Sequence, residues 1–134
     1  MTNAERILTV LDHHLDHEVA LVLYGRAAIA AGFDGVPEAV SRTLDVDVII
    51  PISRIAAFQS DAKFWDAQEA TNSELEKDGL YITHLFQADQ VFLRREWEQH
   101  LVPITRPPTR WLRLFWPCSG GVFITRPVPS QFNR

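Results

Sequence analysis

The chain is poor in cysteine, in long apolar runs and, over its first two thirds, in positive charge. Cys118 is the single cysteine among 134 residues. An internal disulfide and a cysteine-built zinc site are therefore excluded, and a reducing, cytoplasmic compartment is the natural expectation. No apolar run approaches the ~18 residues that a membrane span needs, so no membrane partner is expected. The opening stretch MTNAERILTVLDHHLDHE carries four acidic residues and has neither a cationic start nor an apolar centre, which does not read as a signal peptide. Residues 1–93 hold six Lys+Arg against fifteen Asp+Glu, whereas residues 94–134 hold seven Arg against Glu96 and Glu98. Two explanations fit that asymmetry: the regions pack together and neutralise each other, or the arginines form a phosphate-facing edge.

What is present is a 46% hydrophobic composition, enough for one domain with a real core. Thr2 followed by Glu5 is a capping-box pattern, and Ile7, Leu8, Leu11 and Leu15 then share one helical face, predicting a helix over residues 3–16. VALVLYG, 19–25, reads as a buried strand ending in glycine, and RAAIAAGF as a helix stopped by Gly32. TLDVDVII, 43–50, is a second strand ended by Pro51. Residues 52–78 lack Gly and Pro and predict one or two helices, broken near Ser60 and Asp61 and closed by Gly79. LYITHLF, 80–86, is a third strand, QVFLR, 90–94, a fourth, and WLRLFW, 111–116, another, after the proline-marked turn ITRPPTR. Residues 1–116 thus form the expected domain. Residues 117–134 read as a Pro/Gly-rich tail, divergent or truncated, with GVFIT as a strand-like patch within it. Helices against one sheet follow, of mixed α/β or α+β class.

The second strand carries the chemistry. Residues two apart in a strand share a face, so Thr43, Asp45 and Asp47 lie together, opposite Leu44, Val46 and Val48. Two carboxylates so close repel, and a hard divalent cation such as Mg2+, held by one or two carboxylates plus substrate phosphates, would relieve them. The plainer alternative is a solvent-facing pair, or one neutralised by Arg42, Arg54 or the late arginines. Upstream, Gly25 sits where an apolar strand runs directly into a helix, a turn at which backbone N–H groups can approach a phosphate, with Arg26 at the first helical position as an anion partner.

An apolar strand (Leu21–Tyr24), a glycine turn (Gly25, Arg26), a short helix (Ala27–Ala31), and then Arg42, Thr43, Asp45 and Asp47 on the next strand form an ordered set. It resembles the nucleotidyltransferase superfamily, the DNA polymerase beta-like enzymes, in its minimal groups that include the AbiEii-type toxins. The stretch YITHLFQADQVFLRREW is similar to related uncharacterised nucleotidyltransferase-like proteins, and the resemblance spans roughly residues 5–100. It implies an α+β fold with a mixed β-sheet and helices mainly on one face. It also implies Mg2+-dependent transfer of a nucleoside monophosphate from a nucleoside triphosphate to an acceptor: RNA, a protein side chain or a small molecule. In that reading Asp45 and Asp47 are catalytic and bind metal, and Gly25, Arg26, Arg42 and Thr43 hold the triphosphate. A homodimer or an antitoxin is the partner to expect.

The chain departs from that pattern at three places. Arg26 replaces the usual Gly or Ser. The third strand, where a third acid is expected, offers His84 as the remaining metal ligand, with Asp89 just beyond. The tail does not continue as the family's helix. The alternative that follows is a catalytically degenerate nucleotide-binding or interaction module of a toxin–antitoxin system. A third reading, nucleic-acid binding through the Arg-rich end, predicts steep salt dependence and sits poorly with the net charge of -4. His13, His14 and His17 have a spacing that can ligate metal but read first as a solvated helix face. Trp65, Trp97, Trp111 and Trp116 read as core or interface before base-stacking platforms, and Cys118 as structural.

Overall fold

A computed structural model describes residues 2–25, 28, 30, 37–38, 42–86 and 96–117. Of the expected helix at 27–31 only Ala28 and Ala30 are described, both helical; the expected strand at 90–94, Arg26, Asp89, Cys118 and, beyond Pro117, the tail lie outside the described residues.

The first helix, α1 (Asn3–His14), starts as its sequence predicts. Thr2 Oγ1 accepts from the Glu5 N–H at 3.1 Å and Glu5 Oε1 accepts from the Thr2 N–H at 3.2 Å, satisfying two donors that a helix start leaves unpaired. Ala4, Ile7, Leu8 and Leu11 are fully buried. The helix ends at Leu15, where the backbone turns extended and leads into β1 (Val19–Tyr24). After β2 (Asp45–Ile50) come a short 3-10 turn, Ile52–Arg54, and α2 (Ile55–Gln59). The break expected near Ser60 is real. Asp61 is the N-cap of α3 (Ala62–Leu75), its Oδ1 accepting from the Phe64 N–H at 3.0 Å. Phe64, Ala67, Thr71 and Leu75 are the buried stripe of α3, spaced at intervals of three and four as a one-sided helix requires. Gly79, in the left-handed region at φ 73°, ends the following 3-10 turn and admits β3 (Tyr81–Phe86).

Another 3-10 turn, Trp97–His100, runs into β4 (Leu101–Ile104). This strand contains Pro103, and its sequence carried no strand expectation. Its position explains the exception, for among the described strands β4 stands at the edge of the sheet, where a missing N–H is tolerated. The last of the described strands is β5 (Leu112–Pro117), one residue later than expected.

The five strands form one sheet in the order β3-β2-β1-β5-β4. The β1–β2 and β4–β5 pairs are antiparallel, and β2–β3 and β1–β5 are parallel. The architecture is α+β with a mixed sheet. Leu21, Leu23, Val46, Val48, Ile50, Ile82, Leu112 and Leu114 join α1 and α3 in the main core. Val22, Ile49 and Trp97, with Tyr24 and Leu101 against them, form a smaller cluster, and strand parity puts it on the opposite face. On the side of β3 away from β2 the Asn72 side chain takes both backbone groups of Ile82, at 2.8 and 3.0 Å, which blunts that edge against pairing. Among the described residues no helix is long and apolar enough to cross a membrane.

The start of β5 is held by a buried carboxylate. Asp12, 7% exposed, accepts from the backbone N–H groups of Arg110 (2.9 Å), Trp111 (2.8 Å) and Leu112 (3.0 Å). The Val19 N–H then donates to the Trp111 carbonyl at 3.0 Å, and β1 and β5 proceed in parallel. Asp12→Ala leaves three backbone donors without their acceptor and is expected to lower unfolding free energy by about 3 kcal/mol or more. Asp12→Asn, which keeps one oxygen, should lose less. Urea denaturation of the two variants checks this, and a loss of under about 1 kcal/mol for the alanine would contradict it.

Candidate functional site

The register of β1 on β2 decides where the candidate residues meet. Tyr24, the last residue of β1, pairs with Asp47. Because the strands are antiparallel, the Gly25 turn and the start of β2 lie at the same end of the sheet. Gly25 has φ 76°, and a Cβ built there would meet nothing within 4 Å. The constraint on this position is therefore its left-handed backbone rather than crowding. The Ala28 N–H donates to the Gly25 carbonyl at 3.1 Å, closing the turn.

Val46, Val48 and Ile50 face α1 and α3, so Asp45, Asp47 and Ile49 face the other way, and both aspartates are half-buried. Each carboxylate has one oxygen held by a threonine hydroxyl. Thr43, 7% exposed, donates to Asp45 Oδ1 at 3.2 Å. Thr83, which pairs with Asp47 across β2–β3, donates to Asp47 Oδ1 at 2.8 Å. These bonds orient the carboxylates, and because a hydroxyl carries no charge they leave the negative charge of the pair unchanged. An oxygen-only donor set of two oriented carboxylates fits Mg2+, which keeps several waters and needs few protein ligands. Among the described residues no group of three or more His, Cys, Asp or Glu is placed to hold a metal ion.

The other expected residues fare differently. Thr43 lies beside Asp45, through the hydroxyl bond just described. Arg42 does not, because its exposed guanidinium pairs with Glu38, one helical turn earlier. His84 is corrected as a metal ligand. It pairs with Val48 and so shares that residue's helix-side face, where its ring meets Trp65 edge-on, 4.9 Å between centroids. Burial pushes its pKa down, which keeps the imidazole neutral. The sheet itself lies between His84 and the aspartates. Thr83 is the residue that sequence reasoning missed, and the signal was available: in a strand whose Ile82 faces the core, His84 must do so too, and Thr83 must not.

His14 and His17 bind carboxylates rather than each other. His14 Nε2 lies 2.9 Å from Glu74 Oε1, while His17 lies between Asp16 and Asp61. The tryptophans pack as expected of core residues, with Trp65, Trp111 and Trp116 against the main cluster and Trp97 in the smaller one.

No protein-family model, no curated protein and no solved structure matches the chain.

Gly25→Ala forces a side chain into the left-handed region and is expected to cost about 1 kcal/mol. Gly25→Asn should cost less, since asparagine tolerates that region best after glycine. Thermal unfolding of the pair checks the order, and equal stability of Gly25→Ala and the parent chain would refute the strain argument.

Proposed function

We propose that this chain is a nucleotidyltransferase-like protein that binds a nucleoside triphosphate with Mg2+ and transfers the nucleoside monophosphate to an acceptor. The observation that carries the reading is the β1–β2 register, which sets the Gly25 turn and the Asp45–Asp47 pair at one end of the sheet. A polyphosphate needs both features within reach: backbone donors free of side-chain obstruction, and oxygen ligands for the cation that neutralises it. Asp45 and Asp47 would hold Mg2+, with Thr43 and Thr83 fixing their orientation. The bound ion supplies charge neutralisation at the phosphates and lowers the pKa of the attacking hydroxyl. In the transfer, the acceptor oxygen bonds the α-phosphorus as the bond to pyrophosphate breaks. Gly25 and Arg26 serve the triphosphate in this reading, and the acceptor class stays open among RNA, a protein side chain and a small molecule.

A second reading is favoured by one observation. The strand position beside Asp47 is Thr83, and the described residues add no third carboxylate. Two carboxylates suffice for one cation and a bound nucleotide, whereas a pair of catalytic cations needs more negative ligands. On that ground the chain is a nucleotide-binding module without turnover, acting through a partner such as an antitoxin or a second copy.

The double variant Asp45→Asn, Asp47→Asn is expected to abolish Mg2+-dependent binding of a non-hydrolysable nucleoside triphosphate in calorimetry, a loss of at least about tenfold in affinity. Unchanged affinity rejects both readings. Binding in the parent chain with no pyrophosphate released from a true triphosphate selects the second.

A further inference from the structure

We infer that His17 is a doubly protonated, pH-sensitive clasp joining the α1–β1 turn to the N-terminus of α3, independent of the proposed nucleotide site. The geometry carries this. His17 Nδ1 lies 2.9 Å from Asp16 Oδ1, and Nε2 lies 2.8 Å from Asp61 Oδ2. An ionised carboxylate only accepts hydrogen bonds, and a neutral imidazole has a single N–H. Both contacts are hydrogen bonds together only when both ring nitrogens carry a proton, so the arrangement selects the imidazolium. Two negative groups on one ring stabilise its positive charge further.

Each partner has a second task, which makes the clasp a joint. Asp61 caps α3 with its other oxygen, accepting from the Phe64 N–H at 3.0 Å. Asp16 accepts from Lys63 Nζ at 2.9 Å with its own other oxygen. Among the described residues, the charged groups facing His17 are therefore Asp16 from its own turn and Asp61 from the cap of α3, and Lys63, in the first turn of α3, is linked through Asp16. The bond to Asp61, then the bond to Asp16, raises the His17 pKa. The bond from Lys63, then that from His17, holds the Asp16 carboxyl below its usual range, and Asp16 in turn raises Lys63.

The sign of the pH effect follows. A histidine whose folded pKa lies above its unfolded value of 6.5 contributes stability that is fully present below 6.5 and is lost as pH rises through the folded pKa. Deprotonation removes one of the two hydrogen bonds and the charge that draws Asp16 and Asp61 together, so the joint loosens on the alkaline side. His17 and Asp16 are partly exposed, so the change is modest and weakens with salt.

Imidazole nitrogen–proton correlation spectra of the full chain, recorded from about pH 5 to about pH 9, test the assignment. The expected His17 midpoint lies above 6.5, with both ring nitrogens protonated below it. Asp61→Asn preserves the cap, since asparagine caps helices as well as aspartate, and should lower the midpoint more than Asp16→Asn does. In thermal unfolding, the fall in stability from pH 6 to about pH 9 should be smaller in His17→Gln than in the parent chain. A parent midpoint at or below 6.5 overturns the inference, as does one that neither asparagine variant moves. Failure of Asp61→Asn to fold leaves the parent midpoint and Asp16→Asn to decide it.

Discussion

The sheet depends on the carboxylate of Asp12. It lies in the last turn of α1, where the helix dipole disfavours negative charge by some 0.3–1 kcal/mol. Against this stand three hydrogen bonds from backbone N–H groups to a charged acceptor, each contributing about 1.5–3 kcal/mol. The bonds win, and their geometry matters more than their sum. They join residues about one hundred positions apart in the chain and set the first residues of β5 beside the first residues of β1. From that point β5 pairs in parallel with β1, and β4 is added antiparallel at the outer edge. An acid at the wrong end of a helix was the visible sign of this role.

Much of the fold was legible because its elements are locally consistent. The capping box of α1, the alternation in β2, the break at Asp61 and the left-handed Gly79 are each written within a few residues, and each stands where the sequence places it. The sheet order was not legible, since parallel pairs such as β1–β5 carry no turn chemistry linking the two strands. Strand β4 escaped because Pro103 argues against a strand unless the edge position is known. The same locality governs the site. That Asp45 and Asp47 share a face follows from period two within one strand. That Thr83 rather than His84 reaches them follows from the register of a second strand, which only tertiary pairing sets.

Face assignment also fixes the side of the sheet on which the aspartates lie. Val46, Val48 and Ile50 are at most 2% exposed and commit β2 to the helix side. A slip of one residue would bury both carboxylates against α1 and α3, at several kcal/mol each. The register is thus held by the cost of burying charge as well as by the gain of burying valine. Part of the face they occupy is closed by Trp97 against Val22 and Ile49, and the acids lie toward the other end, where Tyr24 gives way to the Gly25 turn.

At that end two acids stand close together on one strand face. Residues two apart in a strand lie about 6.6 Å apart along the chain. At an effective dielectric of about 20, like charges at that separation repel by about 2.5 kcal/mol, and by less where water reaches them. Thr43 and Thr83 each hold one oxygen of a carboxylate, and Arg42, the cation nearest in sequence, is turned to Glu38. In the proposed reading, hydroxyls that orient the acids on one face, at the same end of the sheet as the glycine turn, would position them toward a bound cation. A cation alone would satisfy the acids. The glycine turn adds what a cation alone would not need, which is why the proposal of a polyphosphate with its metal rests on the pairing of the two features and not on the acid spacing by itself.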